Sequence, residues 1–286
     1  MTVRMGILGP EGTHSEAAAV WLNRQIAEPR KLVIYPDIFA VMQAVTDHEV
    51  DEALVPVENS LEGSINITLD TLARSDGIEV ERELIWPVRN QLMAKCRPED
   101  IRRIYSHPQP ISQCRAFLQA HYPDVELVKV ASTARAAEIV SDVPVTDGAA
   151  AICTKRGGEL NGLRTIASNI QDNMANSTRF YQLCRRQARP KGRGESSSKV
   201  LVICQIDGRK AGSLCEVLEE FATRHVNMTR IESRPARTEL GKYIFFFDLE
   251  CEEGKDRTMQ EAIAAVAQKA VWLKQHGAFP VVEAKL

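Results

Sequence analysis

Residues 176–183, read NSTRFYQL, set the hydroxyls of Ser177 and Thr178 and the guanidinium of Arg179 directly before an aromatic, β-favouring run. Taken alone, hydroxyls at a strand start are ordinary turn residues, and this segment reads as a polar strand beginning. Four other segments share its character at the ends of apolar runs. They are GPEGTHSE with Thr13, VPVENSLEGS with Glu58, Asn59 and Ser60, YSHPQPISQC with Ser106 and Gln113, and VASTARAA with Thr133. Hydroxyls, amides and the unpaired N–H groups of helix N-termini are suited to holding an anion. Each segment also has a purely structural use. Thr13-His14-Ser15-Glu16 matches a capping box, Pro108 suits a first helical turn, and Ser132 and Thr133 suit helix caps. Their repetition at one end of one sheet points beyond capping.

Other chemistries find little support. Gly6, Gly9 and Gly12 are spaced G-x-x-G-x-x-G, not G-x-G-x-x-G, and no Walker-type loop occurs. The six histidines lack metal-binding spacing, and His107 beside Ser106 is no nucleophile elbow. Seven scattered cysteines without a C-x-x-C pair argue against a disulfide framework or zinc site and favour a reducing cytoplasm. With 44% hydrophobic residues, 26% charged residues and a formal net charge of -2, the 286-residue chain reads as an ordinary soluble protein. Nucleic acid is not an expected partner. No apolar run reaches the ~20 residues of a membrane helix, and no export signal is visible.

The elements that must carry these residues alternate. Short strands VRMGIL, KLVIY, EALVPV, RRIY, ELVKV, AAAIC and RFYQL are interleaved with helices near 15–27, 38–47, 108–121 and 134–141, which predicts an α/β sheet region. EVERELIWPVRNQLMAK breaks that rhythm with two strand-like runs, as a crossing to a second lobe would. The return crossing falls near 165–168 and leaves a cleft between lobes. A basic, Pro/Gly/Ser-rich segment reads as a linker. The expected organisation is a domain over 1–184 with a second lobe at about 84–166, a linker over 185–198, and a βαββαβ, ferredoxin-like domain over 199–278. Leu214, Val217, Leu218 and Phe221 fall at helical spacing and form a packing face there.

In this order, GPEGTHSEAA, VPVENSLEGS, YSHPQPISQC, STARAA and STRF resemble the prephenate dehydratases, and AGSL with IESRP downstream resembles their ACT regulatory domain. The similarity spans residues 3 to 276. It implies a two-lobed catalytic domain of the periplasmic-binding-protein type (type II), which decarboxylates and dehydrates prephenate to phenylpyruvate. No metal or organic cofactor is implied. The resemblance makes Thr178 essential and implicates Glu58, Ser106 and Gln113 in catalysis, with Thr13, Asn59, Ser60, Thr133, Arg179 and Phe180 toward substrate. Arg179, next to Thr178 in a strand, should face the opposite way and form a structural ion pair. His14 departs from the pattern, since relatives usually carry Phe or Tyr there. The chain starts at the first dehydratase strand, so a monofunctional enzyme without a leading mutase is expected.

The resemblance further implies L-phenylalanine as allosteric effector. It would sit between Ala211, Gly212, Ser213 and Leu214 of one subunit and Asn227, Glu232, Ser233, Arg234 and Pro235 of the next, in a homo-oligomer, dimer or tetramer, joined through the ACT domain. Two alternatives stay open: an arogenate dehydratase, and a non-catalytic amino-acid or dicarboxylate sensor. Thr178 is expected to hydrogen-bond the departing hydroxyl, with Glu58 or water behind it, while Asn59, Ser106, Thr133 and helix N-termini hold the carboxylates.

Overall fold

A computed structural model describes residues 2–186, 199–238, 242–251 and 256–285, so the expected linker lies, from residue 187 on, outside the described residues. The first lobe contains β1 (Arg4–Leu8), α1 (His14–Gln25), β2 (Lys31–Tyr35), α2 (Ile38–Thr46), β3 (Glu52–Asn59), β4 (Gly63–Ser64), α3 (Asn66–Arg74) and β5 (Ile78–Pro87). The second contains β6 (Gln91–Ala94), β7 (Arg103–Ser106), α4 (Pro108–Gln113), α5 (Arg115–His121), β8 (Glu126–Lys129), α6 (Thr133–Asp142), β9 (Ala149–Cys153), α7 (Lys155–Leu160) and β10 (Arg164–Ala167). The chain then returns as β11 (Ser177–Arg185).

Both sheets are wound alike. In the first, β2, β1 and β3 are parallel, and β11 enters antiparallel between β3 and β5. In the second, β8, β7 and β9 are parallel, and the newly arrived β6 lies antiparallel beside β9, with β10 outside it. In each sheet the strand formed as the chain arrives from the other lobe thus inserts antiparallel beside the parallel strands, which is the expected two-lobed, type II arrangement. The carboxyl ends of the parallel strands face one cleft, where open α/β sheets bind ligands. β3 is an almost continuous apolar run, as a strand covered on both faces must be.

The third unit comprises β12 (Lys199–Ile206), α8 (Ser213–Ala222), β13 (Met228–Pro235), β14 (Tyr243–Glu250), α9 (Asp256–Lys269) and β15 (Trp272–Phe279), with sheet order β13-β14-β12-β15. This is the ferredoxin-like βαββαβ fold. One sheet face packs on its own helices through Val217, Phe221 and Val266. The other packs on the first lobe, where Leu201, Ile203, Phe246 and Phe279 share one core with Val55, Val57 and Tyr181. The chain then runs back: β16 (Val281–Glu283) pairs parallel with β5 and extends the first sheet.

Some local expectations change. The single helix expected over 108–121 is broken at Cys114, because the Asp172 carboxylate accepts the Ala116 N–H at 3.1 Å and caps α5 from the return segment. Helices α3 and α7 were not anticipated. β-branched residues dilute the helical signal of α3, and two adjacent glycines dilute that of α7.

His276 of β15 is fully buried against the first lobe, its Nδ1–H donating to the Ile78 carbonyl at 3.0 Å. Burial pushes its pKa down to about 4. The unfolded chain therefore takes up a proton near pH 6.5 that the folded chain refuses until about 4, so this contribution is complete above 6.5 and is lost as the pH falls through that window. Denaturant titrations at pH 7.5 and 4.5 are expected to show roughly 2–3 kcal/mol lost through this group, and His276→Gln to reduce the difference.

Candidate active site

The cleft is built around Thr178. β11 sets Thr178 opposite Asn59 of β3, and the Asn59 side chain is fixed at both ends. Its Oδ1 accepts the backbone N–H groups of Leu61 (3.0 Å) and Glu62 (3.1 Å), so its Nδ2 must be the outward donor. That Nδ2 donates to Asn176 Oδ1 at 2.9 Å and to Thr178 Oγ1 at 3.1 Å. Since the Thr178 oxygen accepts from Asn59, its own O–H is left to donate into the cleft.

The hollow, about 290 Å³, is also lined by His14, Val88, Asn90, Gln113, Thr133 and Phe180. Among the described residues, no Lys, Arg, Asp or Glu side chain lines it. It offers donors instead: Gln113 Nε2 and Asn176 Nδ2 are buried without an acceptor among the described residues. The N-termini of α1 and α6 open toward it, adding a positive dipole end from each lobe. Phe180, two residues beyond Thr178 on the same face, supplies an apolar wall.

Of the expected site residues, Thr178, Asn59, Gln113, Thr133 and Phe180 come together here. The others do not. Thr13 is engaged as the cap of α1, accepting from Glu16 N at 3.3 Å and donating to Pro10 O at 2.9 Å. The Ser60 hydroxyl receives the Ser177 N–H at 3.0 Å and braces the start of β11. Ser106 is fully buried and donates to Ile152 O at 2.7 Å, tying β7 to β9. Glu58 is displaced by a bulge: Arg179 pairs with Glu58 but Phe180 with Pro56, leaving Val57 as an extra residue. Pro56 lines the cleft, Val57 packs in the core behind the sheet, and the bulge carries Glu58 to that rear side as well.

Behind Thr178, the Arg179 guanidinium meets Glu58 at 2.8 Å, Glu83 at 2.6 Å and Asp248 of β14 at 2.6 Å. Burial opposes its charge, but the Tyr181 oxygen and the Asp248 and Glu83 carboxylates outweigh this and raise its pKa. Lys199 joins Glu83 at 2.8 Å, and Arg230 lies 3.5 Å from Glu58.

The lobes also touch directly. Arg156 of α7 chelates the Glu16 carboxylate of α1 at 2.7 and 2.8 Å, and Thr154 Oγ1 donates to Gly12 O at 2.7 Å. A Cβ on Gly157 would lie 2.6 Å from Gly12 O, so only glycine permits this approach. The two crossing segments are hydrogen-bonded to each other, Val88 N to Asn176 O at 2.9 Å and Ile170 N to Asn90 O at 3.0 Å.

Family comparison matches residues 5–188 to prephenate dehydratase and residues 202–266 to the ACT domain. The chain belongs to the prephenate dehydratase family. It is 35% identical over 248 residues to the prephenate dehydratase of Lactococcus lactis subsp. cremoris, covering 87% of each chain. The crystal structure of the Arthrobacter aurescens prephenate dehydratase in complex with L-Phe superposes with a TM-score of 0.85 at 31% identity, over 97% of this chain and 90% of that one. GqqA, described as a novel type of quorum-quenching acylase, superposes with a TM-score of 0.83 at 26% identity, over 98% of both. As a prephenate dehydratase the chain is a carbon–oxygen hydro-lyase with an ACT regulatory domain.

Sequence reasoning did not single out Asn90 and Asn176 as site residues. Asn176 immediately precedes STRF, and that adjacency was the available signal; Asn90 carried none, and the return crossing, expected near 165–168, lies instead between β10, which pairs with β6 in the second sheet, and β11.

Arg179→Met would strand buried carboxylates and is expected to cost about 3–5 kcal/mol, read as a lower denaturant midpoint. Glu58→Gln, which removes one partner and touches no cleft surface, should lower stability less and leave prephenate turnover largely intact.

Proposed function

We propose that the enzyme forms phenylpyruvate from prephenate in cytoplasmic L-phenylalanine biosynthesis, and that phenylalanine inhibits it through the ACT domain. The carrying observation is the fixed orientation of Asn59, which leaves the Thr178 O–H free to donate into a cleft of neutral donors. Loss of carbon dioxide drives the ring toward aromaticity, and the barrier is the departure of hydroxide. A hydrogen bond or proton from Thr178 stabilises the charge growing on that oxygen. Gln113, Asn176, Thr133 and the helix N-termini receive the two carboxylates. Glu58, paired with Arg179 behind the strand, takes a structural part and not the proton-supplying one expected of it. Among the described residues no carboxylate lines the cleft to pair with the ammonium of arogenate, which favours the keto acid.

For regulation, a second hollow of about 260 Å³ is lined by Gly212, Ser213, Leu214, Tyr243 and Phe245. Gly212 has φ +83°, and nothing lies within 4 Å of where its Cβ would be, which leaves room for a ligand carboxylate at the start of α8. Ile231 and Tyr243 are 47% and 45% exposed beside it, an apolar face suited to a second ACT domain. Ser233 and Pro235 share the outer face of β13, whereas Glu232 and Arg234 turn to the first lobe, contacting Ser64 and Asp70. Asn227 is engaged by Glu250 at 2.5 Å. A ligand holding β13 would therefore act on the lobe that carries Thr178.

Prephenate turnover is expected, exceeding that of arogenate, with phenylalanine suppressing it. Thr178→Val should lower kcat by about 100-fold or more while Thr178→Ser keeps measurable activity; a near-normal kcat in Thr178→Val would remove Thr178 as donor. Light scattering should report a dimer or larger species with phenylalanine, and Gly212→Val should raise the phenylalanine concentration for half-inhibition far more than it raises KM.

A further inference from the structure

The crossing from first to second lobe brings three side chains into a row. Trp86 Nε1–H points at His14 Nδ1 (3.3 Å), and His14 Nε2 faces Asn90 Oδ1 (3.5 Å). An indole nitrogen can only donate, so Nδ1 carries the lone pair and the neutral imidazole bears its proton on Nε2. That proton needs an acceptor, which the Asn90 oxygen supplies. The reverse amide orientation would demand a second lone pair on the ring and is excluded. Asn90 is thereby turned so that its Nδ2 is a buried donor without an oxygen or nitrogen acceptor, with only the thiol of Cys114 beside it. Its backbone is pinned too, its N–H donating to Gln171 Oε1 at 3.0 Å and its carbonyl accepting from Ile170. Burial lowers the His14 pKa to about 4, which agrees with a neutral ring.

Asn90, Gln113 and Asn176 all line the same cleft, and each has an NH2 group lacking an oxygen or nitrogen partner. Such donors call for an acceptor-rich ligand, and a carboxylate satisfies them best. We propose that Asn90 binds a substrate carboxylate and that His14, oriented by Trp86, is the positioning residue that aims its amide. This rests on the reading of the cleft as the prephenate site.

The test is steady-state kinetics with prephenate on the full-length enzyme and its variants, with thermal unfolding as a folding control. Asn90→Leu removes the donor and is expected to raise KM about 10- to 100-fold. His14→Phe keeps the ring's bulk but loses both hydrogen bonds, and should raise KM several-fold with a smaller change in kcat. His14→Gln can accept from Trp86 and donate to Asn90, and should restore a KM near that of the unaltered enzyme. Because His14 acts only through Asn90, adding His14→Phe to Asn90→Leu should raise KM no further. Equal KM values for the Phe and Gln variants, or additive effects in the double variant, would overturn the positioning role; an unchanged KM in folded Asn90→Leu would overturn the binding role. An unaltered enzyme without prephenate turnover would overturn the reading of the cleft and this proposal with it.

Discussion

A guanidinium buried behind the strand that carries Thr178 can keep its charge only if carboxylates surround it, and Arg179 draws two of these from the first lobe and one from β14 of the ACT domain. Removing Arg179 would leave Glu83 and Asp248, both fully buried, charged in a place where water cannot compensate, so strand β11, the two strands beside it and the docked ACT sheet form one electrostatic unit. The apolar packing around Tyr181 and Phe279, whose rings meet edge-on at 5.6 Å, encloses this cluster and raises the cost of disrupting it. Thr178 inherits its position from that arrangement, since adjacent residues of one strand cannot move independently.

The cleft follows a different electrostatic logic. Among the described residues its lining is formally uncharged, and what it offers an anion are amide and hydroxyl donors together with the ends of α1 and α6. Neutral donors cost less to bury than an unpaired cation, and they are directional, which suits a substrate with two carboxylates and a hydroxyl at fixed angles. Directionality is useful only if each amide is held one way round. Backbone N–H groups do this for Asn59, and the Trp86–His14 pair does it for Asn90. The lobes that bring these groups together are fastened by the Gly12–Gly157 approach, the Glu16–Arg156 pair and the paired crossing segments.

The ACT domain is not a tethered appendage. Its sheet shares a core with the first lobe, and β16 then completes the first lobe's sheet at its edge. β13 divides its alternating side chains between the two settings: Ile231, Ser233 and Pro235 look outward, while Arg230, Glu232 and Arg234 hold the first lobe. A two-residue period is enough to place an exposed surface and a catalytic-domain contact on opposite faces of one strand.

The alternation of apolar runs with helical patterns, the break at residues 79–95 and the later βαββαβ order were legible because they follow from local periodicity, and the ordered polar motifs pointed to the family. Thr178, Asn59, Gln113, Thr133 and Phe180 were readable as cleft residues for the same reason: they sit at the ends or on one face of recognisable elements. The bulge that carries Glu58 behind the sheet was not, because it depends on how β3 registers with a strand 120 residues later. Nor were the Asp172 cap that divides the helix at Cys114, the return of β16 or the contribution of Asn90, each of which joins residues distant in the chain. Sequence by itself determined which segments are strands and helices and which chemical groups stand at their ends, since short-range pattern encodes both. Only the tertiary structure decided which groups share a cavity and which way each hydrogen bond runs, because those depend on register and on partners that no local pattern specifies.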